Sequence, residues 1–115
     1  HNVVFLPPTA YEHLPAYIAS ADVCLGLFGT SEKVDRVIPN KVFEYLACGK
    51  PVVTKHSLAT ERVCRDMPIR YVGLAPEEGV RAIRELLQTK IDTLSVHARV
   101  LSWYNDAEKI WKSLL

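Results

Sequence analysis

The sequence predicts an α/β fold, a doubly wound parallel sheet of about four strands with helices on both faces. Short β-branched runs alternate along the chain with stretches of helical periodicity. One of those runs, Val23-Cys24-Leu25-Gly26-Leu27-Phe28, is apolar at successive positions, as a strand covered by helices on both sides must be. With 115 residues, 49% of them hydrophobic, the chain can bury one core and amounts to one domain or less.

Taken in order, Val3-Val4-Phe5-Leu6 is short, apolar and bounded by Pro7-Pro8, which predicts a first buried strand ending at a turn. Thr9 is placed to cap the next helix, whose apolar face is Tyr11, Leu14, Ile18 and Ala21; Pro15 fits inside the first turn of a helix that starts later. Residues 22–28 form the second strand, and the polar run Gly29-Thr30-Ser31-Glu32-Lys33-Val34-Asp35-Arg36 reads as a loop. From Asn40 to Cys48 a helix is expected, with Asn40 as N-cap and Gly49 as the left-handed residue beyond its end. Pro51 blocks continuation and heads a third strand, Pro51-Val52-Val53-Thr54, where its missing donor costs little.

Residues 58–64 read as a short helix and residues 69–74 as a fourth strand. Ala75-Pro76-Glu77-Glu78 opens another helix, with Pro in its first turn, two acids at the positive end of its dipole, and Val80, Ile83, Leu86 and Leu87 as its stripe. Two separate helices follow, one marked by Leu94, Ala98 and Leu101, the other by Ala107, Ile110, Trp111 and Leu114. Trp103, Tyr104 and Trp111 are expected to pack within them. Right-handed crossovers complete the predicted topology.

A charged content of 23% and a formal net charge of +1 lack the basic footprint of a dedicated nucleic-acid binder. No apolar run approaches the roughly 18 residues that span a bilayer, and no basic-then-apolar leader opens the chain. Cys24, Cys48 and Cys64 are too widely spaced for a zinc site and odd in number for a disulfide framework, so they read as reduced core thiols of a cytoplasmic protein. His1-Asn2 leads straight into an apolar run, which reads as a fragment boundary. Four strands are few for such a sheet, so two earlier strand–helix units are expected upstream.

In an open α/β sheet, ligands bind beyond the carboxyl ends of the strands, so the candidate loops are residues 7–9, 28–40 and 54–58. The middle loop feeds a helix start at Asn40-Lys41, where free N–H groups and the dipole favour a phosphate, and Lys41 adds a full charge. Glu44 lies three residues on, on the same helix face, and can accept hydrogen bonds from sugar hydroxyls. Lys41 and Glu44 could equally be a surface pair of little weight. Yet the rest of this helix, Val42, Phe43, Tyr45, Leu46 and Ala47, is apolar, and a carboxylate near buried surface needs a partner. His56 follows the third strand without an acidic partner in sequence and reads as a solvent-exposed loop histidine; His13 and His97 show no ligand spacing. Glu61 reads as a residue that begins or caps the short helix.

The string Ile38-Pro39-Asn40-Lys41-Val42-Phe43-Glu44-Tyr45-Leu46-Ala47-Cys48-Gly49-Lys50-Pro51-Val52-Val53 closely resembles the donor-site signature of GT-B glycosyltransferases of the large retaining family 4. Leu14-Pro15-Ala16-Tyr17-Ile18-Ala19-Ser20-Ala21-Asp22-Val23 resembles the segment that precedes it, and Trp103 with its helix resembles the family's final helices. The resemblance implies that residues 1–115 are an incomplete, Rossmann-like C-terminal domain that binds a nucleotide sugar. Pro39, Asn40 and Lys41 would lie against the diphosphate, and Glu44 would accept hydrogen bonds from the ribose. Many members carry two glutamates separated by seven residues, but here Arg36 stands eight before Glu44, so the first glutamate's contact with the sugar is unassigned; Arg36 and Lys33 become phosphate contacts or solvated loop charges.

The implied parent transfers a sugar from a nucleoside diphosphate sugar to a carbohydrate or lipid-linked acceptor, without a metal and without any other cofactor. Its acceptor site belongs to a separate N-terminal domain, so the isolated chain is expected to be inactive. Many relatives act at the cytoplasmic face of a membrane, which makes peripheral membrane association an option for the parent. Two rival readings share these residues: a nucleotide-sugar epimerase of the same architecture, and a non-catalytic nucleotide-binding or interaction module.

Overall fold

A computed structural model describes residues 2–115; His1, read above as a fragment boundary, lies outside them. A single 3₁₀ turn at Tyr11–His13 leads into α1 (Leu14–Ser20), followed by β1 (Cys24–Leu25), α2 (Lys33–Arg36), α3 (Asn40–Ala47) and β2 (Val52–Lys55). Then come α4 (Leu58–Val63), β3 (Ile69–Val72), α5 (Pro76–Gln88) and α6 (Thr93–Ser113). The strands form one parallel sheet in the order β1-β2-β3, with Cys24 opposite Val52 and Val52 opposite Ile69.

Alternation of side chains along β2 divides the core in two. Val52 points into a cluster with Val42 and Leu46 of α3, Cys64 and Ile69, against which Val96, Val100 and Trp103 of α6 pack. Val53 points the other way, into a cluster with Val72 and with Ala82 and Leu86 of α5. Helices therefore cover both faces of the sheet, as the continuous apolar run of β2 requires. Val42, Leu46, Val52 and Val53 are completely buried, each contributing about 1.5–3 kcal/mol of transfer free energy.

The expected first strand at residues 3–6 is absent: Val3, Val4, Phe5 and Leu6 are all exposed and take no part in the sheet. β-branched composition makes a strand only where a neighbouring ladder accepts it, and none lies beside this segment. Thr9 does not cap a helix; its hydroxyl donates to the Pro7 carbonyl at 3.1 Å, and the 3₁₀ turn begins after Ala10 without a side-chain cap. The second strand is cut to two residues, and Leu25 stays exposed because α5 packs on β2 and β3. Residues 33–36, read as loop, form a turn of helix that buries Val34.

Asn40 is not the N-cap of α3. That place falls to Pro39, whose fixed φ of −61° with an extended ψ turns the chain into the helix, leaving Asn40 as its first helical residue. Gly49 does adopt the left-handed conformation expected of it, with φ of 74°. The two closing helices are a single one of 21 residues, since nothing between Leu101 and Ala107 breaks helical hydrogen bonding. Of its aromatic residues, Trp103 packs edge-on against Phe43, while Tyr104 and Trp111 are exposed, contrary to expectation. No helix among the described residues is long and apolar enough to cross a membrane.

Candidate functional site

Because β1 and β2 run parallel, α3, which connects them, must begin at the carboxyl end of the sheet and run back beside it. Pro39, Asn40 and Lys41 thus stand at the edge where ligands of such sheets bind, and Glu44 lies one turn further in. Glu44 is half-buried, as the apolar character of its helix demands. Its partner is Tyr11, whose hydroxyl donates to Glu44 Oε1 at 3.1 Å from 33 residues earlier in the chain.

The pair borders a cavity of about 170 Å³ between α1 and α3, lined also by Leu14, Pro15, Ile18, Ala47 and Cys48. Its walls are apolar apart from the Glu44 carboxylate and the Tyr11 hydroxyl. The carboxylate raises the Tyr11 phenol above its ordinary pKa, chiefly through the hydrogen bond and then through repulsion of the phenolate. Cys48, beside it, is raised mainly by burial, against the pull of Lys50. All three cysteines are free, with Cys24 and Cys64 buried and Cys48 half-buried.

The other predicted residues are spread along the rim. Lys41 is exposed and makes no ion pair among the described residues. Arg36 lies on α2 and meets Glu32 at 3.7 Å, both side chains being largely exposed. Neither lines the cavity that holds Glu44.

Two features escaped the sequence. Tyr11 reads there only as one apolar position of a helix, and its pairing with Glu44 depends on how α1 docks on α3. His56 does have an acidic partner: its Nε2 lies 2.8 Å from Glu61 Oε2. The strand ends at Lys55, Ser57 caps α4 by accepting from the Thr60 N–H, and the first turn of α4 then carries Glu61 back over His56. A strand end, a serine cap and an acid in the next turn were the legible signal.

Of this chain, 87 residues (75%) are 30% identical to a protein of Bacillus subtilis (strain 168) named "Putative teichuronic acid biosynthesis glycosyltransferase TuaH". The chain spans 22% of that protein's length. No family model matches it, and no solved structure matches it significantly.

Proposed function

We propose that this chain is the donor-binding part of a glycosyltransferase, which moves a sugar from a nucleoside diphosphate sugar to a carbohydrate or lipid-linked acceptor. The similarity to a protein named as a glycosyltransferase supports the general role. The observation that carries the donor-binding reading is Glu44: a half-buried carboxylate one turn inside a helix that starts at the ligand edge, bordering an apolar cavity with a single phenol for a partner.

In this reading Glu44 accepts hydrogen bonds from the ribose hydroxyls, while Tyr11 offers a ring face beside them. The start of α3, with its unpaired N–H groups and Lys41, faces the diphosphate. Negative charge grows on the diphosphate as the sugar leaves, and fixed donors placed there lower the barrier without reorganising. The acceptor is held by a separate domain, and the protein works in the cytoplasm, against the membrane where the acceptor is lipid-linked.

Calorimetric titration with nucleosides and nucleoside diphosphates tests the assignment. Charge-assisted hydrogen bonds of this kind are worth about 1.5–3 kcal/mol, so Glu44→Gln should weaken both ligand types at least about tenfold. Lys41→Ala should weaken the diphosphate and leave the bare nucleoside unchanged. A folded Glu44→Gln protein that binds nucleotide sugars as tightly as the wild type removes Glu44 from the site.

A further inference from the structure

We propose that His56, held by Glu61, is a proton-linked contact for the phosphate groups of the ligand. The inference rests on the donor-binding reading above and adds to it a residue and a pH dependence. β2 is the middle strand, so the residue that follows it stands at the centre of the carboxyl end of the sheet. That residue is His56, and its backbone N–H is fixed to the Val72 carbonyl at 3.0 Å.

The ring is fixed as well. Nε2 lies 2.8 Å from Glu61 Oε2, and the imidazole meets the Tyr71 ring edge to face, with centroids 5.7 Å apart. The two side chains are nevertheless 49% and 55% exposed, and Nδ1 has no hydrogen-bond partner among the described residues. At that exposure a histidine–carboxylate pair adds little stability. What it does is orient an imidazole and leave its second nitrogen free of any partner among the described residues.

Cations and carboxylates both stand around it. Glu61 is engaged by His56, Glu78 by the Gly73 N–H at 2.6 Å and Glu44 by Tyr11, while Asp35 on α2 makes no ion pair among the described residues. On its own strand, Lys55 donates to the Gly29 carbonyl at 3.1 Å, and Tyr71 on β3 is a neutral wall. From α2, which packs on α4, Arg36 is shared with Glu32, while Lys33, like Lys41, makes no ion pair among the described residues. With Glu61 accepting the Nε2 proton, neutral His56 presents a lone pair at Nδ1, which repels a phosphate oxygen. Uptake of one proton from solvent turns Nδ1 into a donor to that oxygen, and Glu61 stabilises the resulting imidazolium. Phosphate binding and protonation therefore assist each other.

The test is calorimetry from about pH 6 to pH 8, the range in which histidine titrates, in buffers of different ionisation enthalpy. The probes are inorganic pyrophosphate, uridine, and uridine, guanosine and adenosine diphosphates. The wild type should take up a fraction of a proton on binding pyrophosphate or a diphosphate, with affinity falling about tenfold as pH rises. Uridine should bind without proton uptake. His56→Gln should abolish the uptake and flatten the pH profile, and Glu61→Gln, which removes the acceptor that orients the ring, should weaken pyrophosphate and diphosphate binding at the low end of that range while leaving uridine binding unchanged. Unchanged proton uptake and unchanged affinity in His56→Gln overturn the inference. If that result comes with a Glu44→Gln variant that has lost nucleoside binding, the donor-binding reading survives alone; if the wild type binds no probe, both fall.

Discussion

At the scale of single residues, the contact between Tyr11 and Glu44 decides how the candidate site behaves. A phenol that donates to a carboxylate loses that bond on ionising and then faces a like charge, so Tyr11 is held in its protonated form above the ordinary tyrosine range. The effect is local and reports on Glu44 directly. Glu44→Gln removes both the charge and the stronger acceptor, so the titration of Tyr11 should move back down toward the value of a free tyrosine. NMR of ring-labelled tyrosine, followed to alkaline pH, measures this. A Tyr11 titration that ignores the Glu44 substitution would show that the pair does not persist in solution.

Among the elements, α3 depends on its two ends. Gly49 lies beyond its C-terminus at φ of 74°, and a Cβ placed there would lie 2.7 Å from the Thr93 carbonyl oxygen, at the start of α6. Gly49→Ala meets both the left-handed penalty of about 1–2 kcal/mol and that collision, and should destabilise by about 2 kcal/mol or more. Gly79 sits in the body of α5, and a Cβ there meets nothing within 4 Å, so Gly79→Ala should stabilise by about 0.5–1 kcal/mol. Chemical denaturation of the two variants should give shifts of opposite sign.

The glycine after α3, the proline inside the first turn of α1 and the buried run of β2 were legible because each rests on backbone stereochemistry or on local pattern. The missing strand at residues 3–6 was not, since a strand is made by its neighbour and the sequence does not announce one. Nor could the sequence show that His97 Nδ1 donates to the Ala47 carbonyl at 2.6 Å, closing the end of α3 from 50 residues away. Lys41 and Glu44 could be read as candidates from their helix, but their partners, or lack of them, follow from docking between helices. That is why Tyr11 was invisible as the partner of Glu44 until α1 was in place, whereas the Glu61–His56 pair is local and its signal, a strand end followed by a serine cap, was there to be read.

For the molecule as a whole, one core cluster sets a limit on alkaline stability. Cys64 belongs to the cluster beneath α3 and α6, and Tyr71 packs against it. Burial pushes the Cys64 thiol from 9.0 up to about 11. Burial, followed by repulsion from Cys64 and Glu61, pushes Tyr71 from 10.0 up to about 12. Both groups hold their protons more tightly in the folded chain than in the unfolded one, so the folded state binds more protons between those values and stability falls as pH rises there. Their contribution is complete below about pH 9, where both states are protonated, and should be lost progressively between about pH 9 and pH 12. The Tyr71 hydroxyl is buried without a hydrogen-bond partner among the described residues, so Tyr71→Phe removes an unsatisfied group and leaves the ring packing in place. Urea titrations at a series of pH values should show that variant at least as stable as the wild type at neutral pH. They should also show a shallower decline between about pH 10 and pH 12, while the portion due to Cys64 remains. Identical alkaline profiles for the two proteins would mean that Tyr71 titrates in solution as an exposed phenol does, and that the wall between β3 and α4 is open to water.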